Sequence, residues 1–258
     1  MAADRSRSWT DDAPFGCTGS LHDTLAVGCS LGLAPRAEVL DIAALRPSAG
    51  LDEQLETLEV AVRHLLAVAA DGPLVVLNCW GVTGPTRDRL PSDTPDFATD
   101  ASHPLTRAFA ALAEVADVVF AAGNAGPDNV FSRFAPEAPA IVGAASLSGV
   151  ITVGAADATG VPDPMSSRGP GALADAKPDL CARTGQQVGD HRAAWTSGAA
   201  AVVAGGIARL REDPVRRCWS PGRMAEELRG GAGSRWDPWT GYGVLHVERF
   251  VEALEREP

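Results

Sequence analysis

The 258-residue sequence is almost devoid of lysine: Lys177 is the only one, and every other basic side chain is arginine. Chemistry that needs a lysine amine therefore has a single candidate, which sits in no phosphate-loop motif. A basic excess is also missing, since the net charge is −11. That argues against a protein that tracks nucleic-acid phosphates. No apolar run approaches the ~20 residues that a membrane helix needs. The opening stretch, Met1 to Asp12, is polar and has no signal-peptide core. Cys17, Cys29, Cys79, Cys181 and Cys218 are odd in number and scattered, with no Cys-x-x-Cys pair. Neither a zinc site nor a disulfide framework is expected. These absences lead us to expect a cytoplasmic protein with free thiols, no cofactor, no metal, and neither nucleic-acid nor membrane partners.

What remains is an ordinary folding composition, 45% hydrophobic and 21% charged, with room for a substantial core. Residues 37–43 read as a short strand. Leu51 to Ala70 reads as an amphipathic helix, with Leu51, Leu55, Leu58, Val62, Leu65 and Ala69 on one face. Buried strands are expected at Leu74–Leu77, Asp117–Ala122 and Val150–Ala156, and a helix at Pro104–Val115. Val82 to Ser102 is rich in Gly, Pro, Asp and Thr and reads as a surface loop. Thr196 to Arg211 is a helix of nearly uniform small apolar character, hence central and buried. Two short helices close the chain near Pro221–Arg229 and His246–Glu255. Alternating strands and helices predict an α/β fold with a mainly parallel sheet and helices on both faces. The carboxyl ends of the strands then carry the site. Asn78 and Asn124 both fall there.

Thr196-Ser197 opens the buried helix. Hydroxyl residues commonly cap helices, which is one explanation. The other is chemical, because a helix N-terminus lowers the cost of an oxyanion formed on a serine. Asn124 could donate to the same oxyanion, and His22 could act as general base.

Several segments, in order, resemble the subtilisin-like serine proteases. They are His22-Asp23-Thr24-Leu25-Ala26-Val27-Gly28, Gly32-Leu33-Ala34-Pro35, Asn78-Cys79-Trp80-Gly81, Ala121-Ala122-Gly123-Asn124, Met165-Ser166-Ser167-Arg168-Gly169-Pro170, Lys177-Pro178-Asp179, Thr196-Ser197-Gly198-Ala199 and Gly241-Tyr242-Gly243. The resemblance spans roughly Leu21 to Leu254 and implies a three-layer α/β domain over 21–258 after a polar segment, 1–20. It implies Ser197 as nucleophile, His22 as base, and Asn124 with the Ser197 N–H as oxyanion hole. The substrate would be a peptide or protein.

The sequence also departs from that family. Its acid-bearing strand has no counterpart before His22, where Asp11 and Asp12 are the nearest acids. We expect the Ala37–Ala43 strand to close the resulting gap in the sheet. Asp41, a carboxylate within an apolar strand, would then point toward His22 as substitute acid. A partner chain could also complete the sheet. Asp23 and Trp195 stand where the family has glycine. Those changes leave an inactive pseudoprotease as the alternative. A separate rival is Gly28-Cys29-Ser30-Leu31-Gly32, which matches the nucleophile elbow of another hydrolase class and would need a strand before it and a helix after it.

Overall fold

The computed structural model describes residues 21–42, 50–81, 95–126 and 139–256, together with the backbone of 7–8. In chain order the elements are β1 (Arg7–Ser8), α1 (Leu21–Leu33), β2 (Leu40–Asp41), α2 (Leu51–Val68), β3 (Val75–Asn78), α3 (Pro104–Ala113), β4 (Asp117–Ala121) and β5 (Ile151–Ala156). They continue with β6 (Leu180–Arg183), β7 (Gln187–Val188), β8 (His191–Arg192), α4 (Trp195–Leu210), α5 (Pro221–Ala232), β9 (Val244–Leu245) and α6 (Val247–Glu255).

Five strands form a parallel sheet in the order β3-β4-β5-β6-β9. β4 and β5 are buried along their whole length, which explains why they read as continuous apolar runs. Side chains alternate between the two faces. Val119 and Ala121 meet α4, whereas Val118 and Phe120 pack with Leu58, Leu65 and Phe109 from α2 and α3. α1, α4, α5 and α6 therefore cover one face and α2 with α3 the other. This is the expected three-layer arrangement.

α4 has a uniformly apolar surface because it is the central helix. Ala199, Ala200, Ala201 and Val203 are all fully buried. α1 lies against it at very close range. The Ser30 hydroxyl donates to Ala201 O at 2.9 Å, and a Cβ on Gly205 would meet the Ser30 backbone at 2.6 Å. Glycine at 205 is what allows the two backbones to touch.

Two sequence expectations change, and the rival hydrolase motif falls away. Gly28-Cys29-Ser30-Leu31-Gly32 lies inside α1, and Ser30 bonds Ala26 O and Ala201 O, so it is no nucleophile elbow. A two-residue strand, β1, does precede His22, and it carries no aspartate. The expected closure of the sheet gap does not form among the described residues. β2 reaches only two residues, its ladder partner is β1, and β3 pairs with β4 alone. The short strand beside it, rather than the main sheet, takes up the hydrogen bonds of Leu40–Asp41.

The lone lysine is structural. Lys177 is 1% exposed; its ammonium donates to Val150 O at 2.6 Å and to Asp179 Oδ2 at 2.5 Å. Asp179 Oδ1 also pairs with Arg229 at 2.6 Å, and Asp179 Oδ2 accepts from the Thr152 N–H at 2.7 Å. Burial pulls the lysine pKa down, and Asp179 opposes that pull. The triad ties β5 and β6 to α5.

Candidate active site

β3 and β4 run parallel, so their carboxyl ends lie on the same side. The N-terminus of α4 meets them there. Its N-cap is Ala194, which offers no side-chain cap. Thr196 and Ser197 are thus the second and third residues of the helix, and neither hydroxyl is a capping group. Ser197 is 7% exposed. Among the described residues neither its hydroxyl nor its backbone N–H has a hydrogen-bond partner. An unpaired N–H in a first helical turn is a ready anion donor.

Asn124 follows the carboxyl end of β4. Its side-chain Oδ1 accepts from the Thr196 N–H at 3.2 Å and from the Thr196 hydroxyl at 2.9 Å. Binding the amide by its oxygen fixes which end is the donor. The turn that carries it depends on Gly123 at φ 94°, a left-handed conformation, and on Ser167. The Ser167 hydroxyl accepts from the Ala125 N–H at 3.0 Å, while the Ser167 N–H donates to Gly123 O at 2.9 Å.

Asn124, Thr196, Ser197 and Ser167 share a cavity of about 220 Å³ with Trp80 and Phe97. Its deep wall is aromatic: Trp80 lies 6.4 Å from Phe97 and 5.5 Å from Phe120, ring centre to ring centre. Asn78 holds this wall in place. It accepts from the Trp80 indole N–H at 3.1 Å and donates to Val119 O at 3.2 Å. Thr196, Ser167 and Phe97 were missed as site residues. Phe97 falls in the stretch expected to be surface loop, yet it is 2% exposed, because tertiary packing against Trp80 buries a locally polar segment. Residues 82–94 of that stretch lie outside the described residues.

His22 is in the first turn of α1, with its side chain 45% exposed. Its Nδ1 contacts Asp23 Oδ1 at 3.3 Å. No hydrogen bond joins His22 to Ser197, nor Asp41 to His22, among the described residues. The carboxylate that touches the imidazole is Asp23. Asp41 instead lies in register with Ser8 in the β1–β2 pair. Asp11 and Asp12 lie outside the described residues. Cys79 stands between α1 and α4. Its thiol meets Ser197 O at 3.6 Å, and burial pushes its pKa up to about 12, with Asp23 and Cys29 of α1 adding to the rise. It is a neutral packing group beside the serine. Among the described residues no three His, Cys, Asp or Glu side chains are grouped to hold a metal, and no helix is long and apolar enough to cross a membrane.

A parallel α/β sheet brings a serine at a buried helix N-terminus and an asparagine amide into one cavity. The Subtilase family profile matches residues 17–230, and the chain belongs to that family. Subtilases act on peptide or protein substrates. No curated protein matches the sequence. Among solved structures, a variant of the protease domain of PatA aligns with a TM-score of 0.70 and 19% identity, covering 98% of this chain and 88% of that one. The prenylagaramide maturation protease PagA gives 0.68 at 19% identity, covering 96% and 86%. A lanthipeptide protease gives 0.64 at 17% identity, covering 97% and 82%.

Proposed function

We propose that the protein is a serine peptidase or peptide acyl-transfer enzyme acting on a specific peptide. The observation that carries this reading is the shared cavity of Ser197 and Asn124, with the Ser197 N–H unpaired and the Asn124 amide bound by its oxygen. Ser197 Oγ attacks the substrate carbonyl carbon as His22 takes its proton. The resulting oxyanion accepts from Asn124 Nδ2 and the Ser197 N–H. When the tetrahedral intermediate collapses, His22 returns the proton to the departing amine. Water or a second amine then takes the acyl group from Ser197. His22 must turn from its exposed position onto the serine hydroxyl, a contact that commonly tightens only when substrate binds. A carboxylate on Nδ1 sets the tautomer that leaves Nε2 free to accept. Asp23 has that position, and Asp41, Asp11 and Asp12 are the alternatives.

Fluorophosphonate labelling tests the scheme. We expect wild type to label, with Ser197→Ala abolishing the label and His22→Ala reducing it by 10²-fold or more. Loss on Asp41→Asn with no effect of Asp23→Asn would return the acid role to Asp41. The lack of a hydrogen bond between His22 and Ser197 among the described residues favours a second reading, a pseudoprotease that binds peptides without cutting them. Absence of labelling in wild type, with peptide binding intact, would establish it.

A further inference from the structure

Trp195 combines two costs in the isolated chain. It is the one non-glycine residue among those described with a positive φ, 61°. A bulky side chain there is strained. It is also 51% exposed, leaving a large apolar ring in water. A glycine would meet neither cost.

The surrounding structure holds the strain in place from both sides. The Thr184 hydroxyl donates to Trp195 O at 2.8 Å. On the C-terminal side Thr196 is fixed to Asn124. On the N-terminal side Ala193 exchanges backbone bonds with the segment before the β7–β8 hairpin: Gly185 N–H donates to Ala193 O at 2.7 Å, and Ala193 N–H to Gln186 O at 2.9 Å. The backbone of Trp195 is therefore held by the Thr184 bond and, one residue further on, by the bonds between Thr196 and Asn124. Thr196 and Ser197 line the 220 Å³ cavity, but Trp195 does not. It stands two residues before the serine, outside that cavity.

We propose that Trp195 is a specificity-determining residue. It receives an aromatic or large aliphatic side chain of the substrate, outside the cavity that Thr196 and Ser197 line. Covering the exposed ring with such a residue removes apolar area from water and stacks flat on indole. Strain kept at such a position points to binding rather than to folding. This inference rests on the peptide-acylation reading for its kinetic form and on peptide recognition alone for its binding form.

Trp195→Gly is the test, because the variant relieves strain instead of creating it. We expect the Tm to rise by about 2–4 °C. Fluorophosphonate labelling of Ser197 should stay within about twofold of wild type, since the small probe reaches only the serine. Hexapeptide libraries with one position fixed as Trp, Phe, Leu, Ala or Asp would be cleaved by both proteins. Wild type should prefer the apolar residues at one position by 10-fold or more in kcat/KM, and the variant should lose that preference. The same libraries, measured by fluorescence polarisation on Ser197→Ala with and without Trp195→Gly, give the binding arm. Trp195-dependent binding without labelling would sustain the role of Trp195 and overturn the enzymatic reading. A fall in Tm, unchanged selectivity, or no peptide bound or cut by wild type would overturn the role of Trp195.

Discussion

Thr196 donates twice to the carbonyl oxygen of the Asn124 amide, and the proposed mechanism assigns the NH₂ end to the oxyanion. The sequence links Asn124 to Ser197 and reads Thr196 only as part of a helix start, so the bond between Asn124 and Thr196 is visible in the structure alone. Such a pairing across 72 residues leaves no local trace. His103 is another residue whose role is set by its place. Its Nδ1 accepts from the Leu105 N–H at 3.2 Å and so caps α3, and its ring meets Phe97 edge-on. Only the unprotonated ring can accept that bond. Burial lowers the His103 pKa, against the opposite pull of Glu59, Asp96 and Asp100. The unfolded chain thus binds this proton more readily than the folded one. The stabilisation is complete above the unfolded value of ~6.5 and is lost as pH falls through the lower folded value. Loss of the cap costs about 1 kcal/mol. We expect Tm to fall between pH 7.5 and 5 in thermal melts, and His103→Asn, which caps without titrating, to flatten part of that fall. An unchanged slope would count against the capping role.

Helices and long strands were largely legible because their periodicity is local. The expected helix Leu51–Ala70 is α2, with a short 3-10 turn at Ala69–Asp71 taking its end. The apolar runs before Asn78 and Asn124 are β3 and β4. β6 to β9 were not legible. β6 has only Leu180–Arg183, too few for a pattern, and β7, β8 and β9 have two residues each. Their existence depends on neighbours distant in sequence. The same holds for the α1–α4 contact, which brings His22 to the serine's side of the sheet through Ser30 and Gly205. Gly205→Ala would force these helices apart. We expect a loss of about 1–3 kcal/mol in urea denaturation. Because α1 carries His22, fluorophosphonate labelling should fall as well. Destabilisation without any change in labelling would show that the helix spacing does not position the histidine.

At the scale of the whole molecule, the sequence placed the chain in a three-layer α/β family through ordered motifs, and the sheet order and helix layers agree with that. The N-terminal edge was harder to read. A gap was foreseen before His22, but not the pairing that forms there, because β1 and β2 together involve four residues with no apolar alternation. The site is similarly split. Ser197, Asn124 and their cavity follow from the large sheet and its central helix, whereas His22 stands at an exposed helix end whose partners come from short segments.

The burial of Lys177 has a practical consequence for the protein in solution. Its single lysine amine is enclosed by Val150 and Asp179, so the folded exterior presents no lysine to amine-directed reagents. Treatment with N-hydroxysuccinimidyl acetate should leave Lys177 unmodified in the native state. It should acetylate fully once urea opens the β5–β6 region, read by peptide mass spectrometry. Acetylation in native buffer at the rate of a free lysine would contradict the burial. The residue is then a built-in clock for global opening, recording in one covalent mark each molecule that has unfolded. An acyl group captured on Ser197 would likewise find no lysine on its own surface to accept it.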